Sequence, residues 1–193
     1  MPKIEPREPD ELLAAARAGE SDGFAALVRL HQARVFSIAL RMLMDRALAE
    51  DLAQEVFLQL HHSIRSLDSH QHLVSWLRQV TTRRAIDRLR RERRTETLSL
   101  DESPGLDESL GLAVSERDAD PLLRQHLQSL IGKLAPMPRA ILLLRYQEDL
   151  DPLDIAQTLA VPVNTVKSHL KRSLAALRMQ LSAGAPLDES GEA

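Results

Sequence analysis

Polar side chains in one segment near the carboxyl end of the chain have types and spacing that suit DNA. They share one face of a predicted helix, and no acidic residue occurs in residues 164–178. Amide, hydroxyl and ammonium groups of this kind hydrogen-bond to base edges and phosphates in a major groove. The side chains on this face are Asn164, Lys167, Ser168 and Lys171. A solvated helical hairpin is the plainer interpretation, so the choice depends on the elements that position these groups.

Those elements have the spacing of a helix-turn-helix. Asp151 can cap a helix that starts at Pro152, where the missing N–H costs nothing. Residues 160–162, Ala-Val-Pro, interrupt the pattern before a second helix. Ala160 takes a turn position that is often glycine, at a cost of about 1 kcal/mol if its φ is positive. The predicted buried stripe of the second helix consists of Val166, Leu170, Leu174 and Leu177. This arrangement favours DNA binding.

Another helix, predicted over residues 72–94 and therefore well before the helix-turn-helix, is strongly basic toward its carboxyl end. Residues 83–94 contain seven arginines against Asp87 and Glu92. At 100° per residue, the helix has a packing side and a polar side. The packing side consists of Val74, Leu77, Thr81, Ala85 and Leu89. The polar side consists of Trp76, Gln79, Arg83, Asp87, Arg90 and Arg94. The arginine density favours phosphate and base contacts over a merely solvated face, and Trp76 is expected to pack in the core.

An acidic surface is predicted on the helix that precedes this one, over residues 47–64. Its inner face is apolar at helical spacing from Ala49 to Leu60. Its outer face carries Glu50, Asp51, Gln54, Glu55 and Leu58. Leu58 can be the anchor of a docking patch for a basic partner, or a single exposed leucine on a solvated face. The residues alone leave these two interpretations level.

Four histidines, His61, His62, His70 and His72, lie within twelve positions and suggest a metal site. However, His61 and His62 point apart on a helix, and no HExxH spacing is present. The chain also has no cysteine, which excludes disulfides and thiolate sites. We therefore expect no metal or other cofactor, and we expect His31 to be a packed core histidine.

Charge is sorted into blocks along the 193 residues, although the formal net charge is only −3. The predicted fold class is all-α, with two small helical domains joined by a flexible acidic linker and a helix-turn-helix in the second domain. Eight acids against Arg117 define that linker. No apolar run is long enough to span a membrane, so a soluble, cytoplasmic protein is expected. The predicted segments are a mobile arm 1–9, a first domain 10–94, the linker 95–120, a second domain 121–181 and a disordered tail 182–193.

Three segments together resemble the extracytoplasmic-function group of bacterial RNA polymerase sigma factors. They are EDLAQEVF (residues 50–57), WLRQVTTRRAIDRLRRERR (residues 76–94), and the run from Leu134 through the helix-turn-helix to Arg178. The resemblance implies a protein without enzymatic activity that binds core RNA polymerase, recognises promoter DNA and stabilises its melted region. It also implies an anti-sigma factor as a regulatory partner.

The resemblance further implies roles for particular residues. Docking on core RNA polymerase falls to Asp51, Gln54, Glu55 and Leu58. Contacts with the minus-ten element fall to Arg83, Asp87, Arg90, Arg91 and Arg94. Capture of a flipped base falls to a loop containing Ser66, Asp68, Ser69 and His70. Contacts with the minus-thirty-five element fall to Asn164, Thr165, Lys167, Ser168, Lys171 and Arg172. The loop before Trp76 differs from the family in being rich in histidine.

Two other function classes are alternatives. A stand-alone helix-turn-helix regulator would bind DNA without polymerase, which would leave the acidic patch and the basic helix without a role. A histidine-dependent metal hydrolase would require the histidines of residues 61–72 to converge with carboxylates.

Overall fold

A computed structural model describes residues 8–96 and 121–184, and every regular element in these two ranges is a helix. The helices form two compact units, with α1–α4 in the first and α5–α8 in the second. The all-α prediction is therefore confirmed, whereas most of the predicted arm, linker and tail lie outside the described residues. The helices are α1 Pro9–Arg17, α2 Ser21–Leu43, α3 Arg46–Ser63, a 3-10 turn Ile64–Ser66, α4 His70–Glu96, α5 Pro121–Gly132, α6 Pro136–Tyr146, α7 Pro152–Leu159 and α8 Val163–Gly184.

In the first unit, α2 is the central helix and packs against α1, α3 and α4. The helix is preceded by Gly19, whose φ of 91° favours glycine, and its N-cap is Glu20. Gly23 lets α1 approach closely, because a Cβ there would lie 2.7 Å from the Cβ of Ala15. The fully buried side chains of this core include Leu13, Leu27, Val35, Val56, Leu60, Leu67, Leu73 and Leu77.

In the second unit, α8 packs against α5, α6 and α7. Its predicted stripe faces the core, with Val166 and Leu177 buried and Leu170 and Leu174 half-buried. Pro136 starts α6, and Pro138 lies in its first turn. Proline is tolerated there since the first N–H groups of a helix have no partner within it.

Candidate nucleic-acid interface

The helix-turn-helix forms from the local signals that the sequence contains. The Oδ1 atom of Asp151 accepts hydrogen bonds from the N–H groups of Leu153, at 2.7 Å, and Asp154, at 2.8 Å. The turn after α7 places Ala160 at φ 54°, in the left-handed region, where the N–H of the next residue closes the helix on the carbonyl of Ala156. Both the N-cap and the strained turn residue are therefore as predicted.

The first turns of α8 present a polar and basic outer surface. Thr165 is half-buried, and the other five predicted upstream-contact residues are exposed. Arg172 donates through Nε to the carbonyl of Ser168 at 3.2 Å. Burial, and then the charge of Arg172, lower the pKa of the half-buried His169, so this ring does not add positive charge near neutral pH. The exposed set is Asn164, Lys167, Ser168, Lys171 and Arg172.

The polar side of α4 forms an exposed stripe that we call the arginine stripe. Within it, Arg91 donates through Nε to the carbonyl of Asp87 at 3.3 Å. On the packing side, Leu77, Thr81 and Ala85 are buried as predicted, whereas Val74 and Leu89 are only half-buried. Leu73 and Ile86 are buried in addition, so the buried face is wider toward these positions than predicted. Trp76 packs against the core, as predicted. The arginine stripe consists of Arg83, Asp87, Arg90, Arg91 and Arg94.

Two arginines of α4 face α3 instead of the outer surface. Arg84 Nη1 lies 2.7 Å from Glu55 Oε2, and its Nε donates to Gln59 at 2.9 Å. Arg88 Nη2 lies 3.8 Å from Asp51 Oδ2. The acidic patch and the basic helix are thus linked by ion pairs, which no local sequence pattern indicated.

Leu58 and Gln54 complete the exposed face of α3. The side chain of Leu58 is 65% exposed, whereas its neighbours at Val56 and Leu60 are fully buried. Asp51 and Glu55 keep 64% and 49% of their side-chain surface accessible despite the ion pairs. The four predicted docking residues therefore lie together on an accessible surface.

The loop between the 3-10 turn and α4 is shorter than predicted, because α4 begins at His70. Ser69 provides the cap, accepting a hydrogen bond from the N–H of His72 at 3.2 Å. Ser66 closes the preceding 3-10 turn by donating to the carbonyl of Ser63 at 2.7 Å. Leu67 is buried. Asp68 keeps 82% of its side chain exposed.

His70 makes two contacts with residues distant in sequence. Its N–H donates to Asp10 Oδ1 at 2.8 Å, and its Nε2 lies 3.1 Å from Nε2 of His31. His31 is buried, as predicted for a core histidine. Burial, the neighbouring His70 and then Arg34 lower the pKa of His31 to about 4. No sequence signal indicated these pairings, because 60 and 39 residues separate the partners.

Comparison with known proteins identifies the family of this chain. The family models Sigma-70 region 2 and Sigma-70, region 4 match residues 27–95 and residues 124–177. The ECF RNA polymerase sigma factor SigW of Bacillus subtilis (strain 168) is 31% identical over 175 residues, which cover 86% of this chain and 92% of that protein. The chain belongs to the extracytoplasmic-function sigma factors. It is therefore a transcription initiation factor that directs RNA polymerase to promoters, and not an enzyme.

Further relatives of this sigma factor support the assignment. The ECF RNA polymerase sigma factor SigK of Mycolicibacterium vanbaalenii is 29% identical over 183 residues, covering 89% of this chain and 88% of the relative. Two solved structures share the fold. CnrH in complex with the cytosolic domain of CnrY has a TM-score of 0.63 and 22% sequence identity, and the match covers 92% of this chain and 100% of that chain. The sigma factor RpoE in complex with the anti-sigma factor NepR from Bartonella quintana has a TM-score of 0.65 and 18% sequence identity, and the match covers 84% of this chain and 98% of that chain.

The histidine-dependent metal hydrolase that the sequence left as an alternative lacks a site in the described residues. Among residues 8–96 and 121–184, no three histidine, cysteine or acidic side chains converge as a metal site would require. In the same part of the chain, no helix combines the length and the apolar composition that crossing a membrane requires. His61 instead packs edge-on against Phe24, with ring centroids 5.1 Å apart.

The low pKa of His31 predicts acid sensitivity of the first unit of this sigma factor. The unfolded chain takes up a proton near pH 6.5 and the folded protein only near pH 4. The free energy of unfolding is therefore highest above pH 6.5 and decreases as the pH falls toward 4, by up to about 1.4 kcal/mol per pH unit. Urea unfolding followed by the fluorescence of Trp76, the single tryptophan, measures this loss. We expect His31→Leu to flatten the pH dependence, and an unchanged dependence would contradict the assignment of the proton to His31.

Proposed function

We propose that this sigma factor uses three separate faces to initiate transcription. The outer face of α8 binds the minus-thirty-five element, the arginine stripe with the loop before α4 binds the melted minus-ten element, and the outer face of α3 docks on core RNA polymerase. One observation carries the proposal: each face holds exposed polar groups on a helix whose other side is buried. The residues of all three faces lie within the ranges that the two family models match.

The face on α8 has the chemistry of major-groove recognition. Asn164 and Ser168 offer groups that hydrogen-bond to base edges, while Lys167, Lys171 and Arg172 offer cations for phosphates or for guanine. The buried Val166 holds the helix against its own unit so that these groups point outward. The cap at Asp151 and the turn at Ala160 fix where α8 begins and hence the position of its first turns.

The arginine stripe and the loop serve the minus-ten element together. Four arginines along α4 supply cations for backbone phosphates, and the carboxylate of Asp87 accepts from exocyclic base amines. The loop residues Ser66, Asp68, Ser69 and His70 lie immediately before α4, in the position that the family uses to hold a flipped base. Holding an extruded base offsets the unstacking cost of about a few kcal/mol and so favours the opened strand.

The outer face of α3 suits a basic partner surface with an apolar recess. Asp51 and Glu55 provide accessible carboxylates, and burial of Leu58 on docking contributes about 2 kcal/mol. A basic polymerase surface competes with Arg84 and Arg88 for the two carboxylates. Exposed ion pairs contribute at most about 1 kcal/mol, so this exchange is feasible.

A regulatory partner and a cytoplasmic location complete the proposal. In one solved structure of similar fold, RpoE is bound to the anti-sigma factor NepR. In another, CnrH is bound to the cytosolic domain of CnrY. By analogy, this chain is held inactive by an anti-sigma factor that masks its polymerase- and DNA-binding faces. Core RNA polymerase and promoter DNA are themselves cytoplasmic in bacteria, which places the working protein there.

Replacing Lys171 with alanine tests the face on α8. We expect weaker binding of holoenzyme to a promoter selected from a random DNA pool, and a salt dependence with a slope lower by about one unit, since one phosphate contact is lost. Arg178→Ala is the matched control, because it removes an exposed cation from the same helix outside the predicted contact set. Equal binding by Lys171→Ala and the parent at every salt concentration would remove Lys171 from the interface.

A further inference from the structure

The first backbone donors of α4 find partners outside the helix. The initial N–H groups of a helix have no acceptor within it and need a side chain or water. Ser69 Oγ accepts from the N–H of His72, and Asp10 Oδ1 accepts from the N–H of His70 at 2.8 Å. Asp10 belongs to the first turn of α1. The start of α4 is therefore capped partly from its own loop and partly by a different helix.

The side chain of His70 is held by a second remote residue. The Nε2 atoms of His70 and His31 lie 3.1 Å apart, so that one ring donates to the other, and the rings are inclined by 29°. His31 is only 4% exposed and lies on α2 between the fully buried Leu27 and Val35. The ring of His70 is thus attached to a well-packed part of the central helix.

The other end of the loop is anchored in the core. Leu67 is 1% exposed and belongs to the same core cluster as Leu73 and Leu77 of α4. Only Asp68 and Ser69 lie between the two anchor points at Leu67 and His70. A segment this short that is fixed at both ends has few conformations to lose when it binds a base.

We infer that Asp10 and His31 are positioning residues for the base-capture loop. They hold the backbone and the ring of His70, and through it they fix the direction in which Asp68 and Ser69 meet the melted strand. This inference rests on the proposed function of the loop. It assigns α1 and α2 a part in promoter opening without any contact between Asp10 or His31 and DNA.

The test measures binding of holoenzyme to a single-stranded oligonucleotide that carries the non-template strand of a selected promoter, with 2-aminopurine at the flipped position. We expect Asp10→Ala to weaken this binding roughly fivefold, as for loss of a helix cap, and His31→Leu to act in the same direction. Asp10→Asn should restore the affinity, because its amide oxygen still accepts from the N–H of His70. Asp22→Ala, which removes an exposed carboxylate from the first turn of α2, is the charge-matched control.

Two further measurements separate a positioning role from general destabilisation. Binding to core RNA polymerase and to a duplex carrying only the upstream element should be the same for Asp10→Ala, Asp10→Asn and the parent. The inference is overturned if Asp10→Ala and His31→Leu both bind the oligonucleotide like the parent while Asp68→Ala binds it more weakly. It is also overturned if Asp10→Asn loses as much affinity as Asp10→Ala. If Asp68→Ala and Ser69→Ala do not change binding of the oligonucleotide, the proposed role of the loop itself is wrong, and the inference about Asp10 and His31 is wrong with it.

Discussion

Replacing Arg139 with methionine should lower the free energy of unfolding of the second unit by about 2–4 kcal/mol. Arg139 is only 5% exposed, and its Nη2 donates to the carbonyl of Gly132 and, at 3.3 Å, to that of Leu134. These carbonyls lie at the end of α5 and in the turn after it, where the helix supplies no further N–H groups. Methionine fills a similar volume but donates nothing, so both partly buried acceptors lose this donor.

Hydrogen exchange of the α5 and α6 amides, together with calorimetry, measures the effect of Arg139→Met. Arg139→Lys should be intermediate, because an ammonium keeps the charge but lacks the planar fork that reaches two carbonyls. Arg178→Met is the control for loss of an exposed arginine. A loss below about 0.5 kcal/mol, the range of ordinary surface substitutions, would show that these hydrogen bonds do not hold α5. Since α8 packs on α5 and α6, promoter binding through α8 should weaken in parallel.

Local sequence signals predicted the elements that are built from neighbouring residues. The cap at Asp151, the turn at Ala160 and the core face of α3 follow from interactions within a few positions of the chain, and the structure confirms them. The family resemblance, carried by three segments in order, is confirmed by the family models and the relatives. Short-range spacing was therefore sufficient for the fold class, and the family resemblance was sufficient for the general function.

Contacts between distant residues could not be predicted in this way. Neither Arg84 nor Arg88 was assigned to a face of α4 from the sequence, and both turn toward α3 because α3 and α4 pack side by side. The contact of Asp10 with His70 likewise depends on how α1 meets the start of α4. Arg139 gave no signal at all, since its partners are backbone carbonyls, which every residue has.

Reversing the charge of Asp51 and Glu55 should abolish binding to core RNA polymerase. Two arginines in their place put positive charge against a basic partner surface. Like charges that face each other across an interface cost several kcal/mol, and the surface around Leu58 then repels the partner. The substitutions also place cations beside Arg84 and Arg88. The carboxylates keep 64% and 49% of their side-chain surface accessible and the arginines only 26% and 40%, so the pairs are partly exposed and we expect the first unit to remain folded with reduced stability.

A charge swap separates the two effects. Glu55→Arg combined with Arg84→Glu keeps an ion pair between α3 and α4 but reverses its direction, so stability is retained while the carboxylate leaves the outer face of α3. We expect this pair of substitutions to weaken polymerase binding nearly as much as Glu55→Arg alone. Leu58→Ala, which leaves both ion pairs intact, should weaken binding through lost apolar contact only.

The most direct measurement is co-purification with bacterial core RNA polymerase, comparing the parent with the Asp51→Arg, Glu55→Arg variant, after Trp76 fluorescence has shown that both are folded. We expect the parent to elute with the polymerase and the variant to elute without it. Co-elution of the variant in the same amount as the parent would contradict docking through α3. Failure of the parent to bind the polymerase while it retains promoter DNA would contradict the sigma-factor mechanism itself.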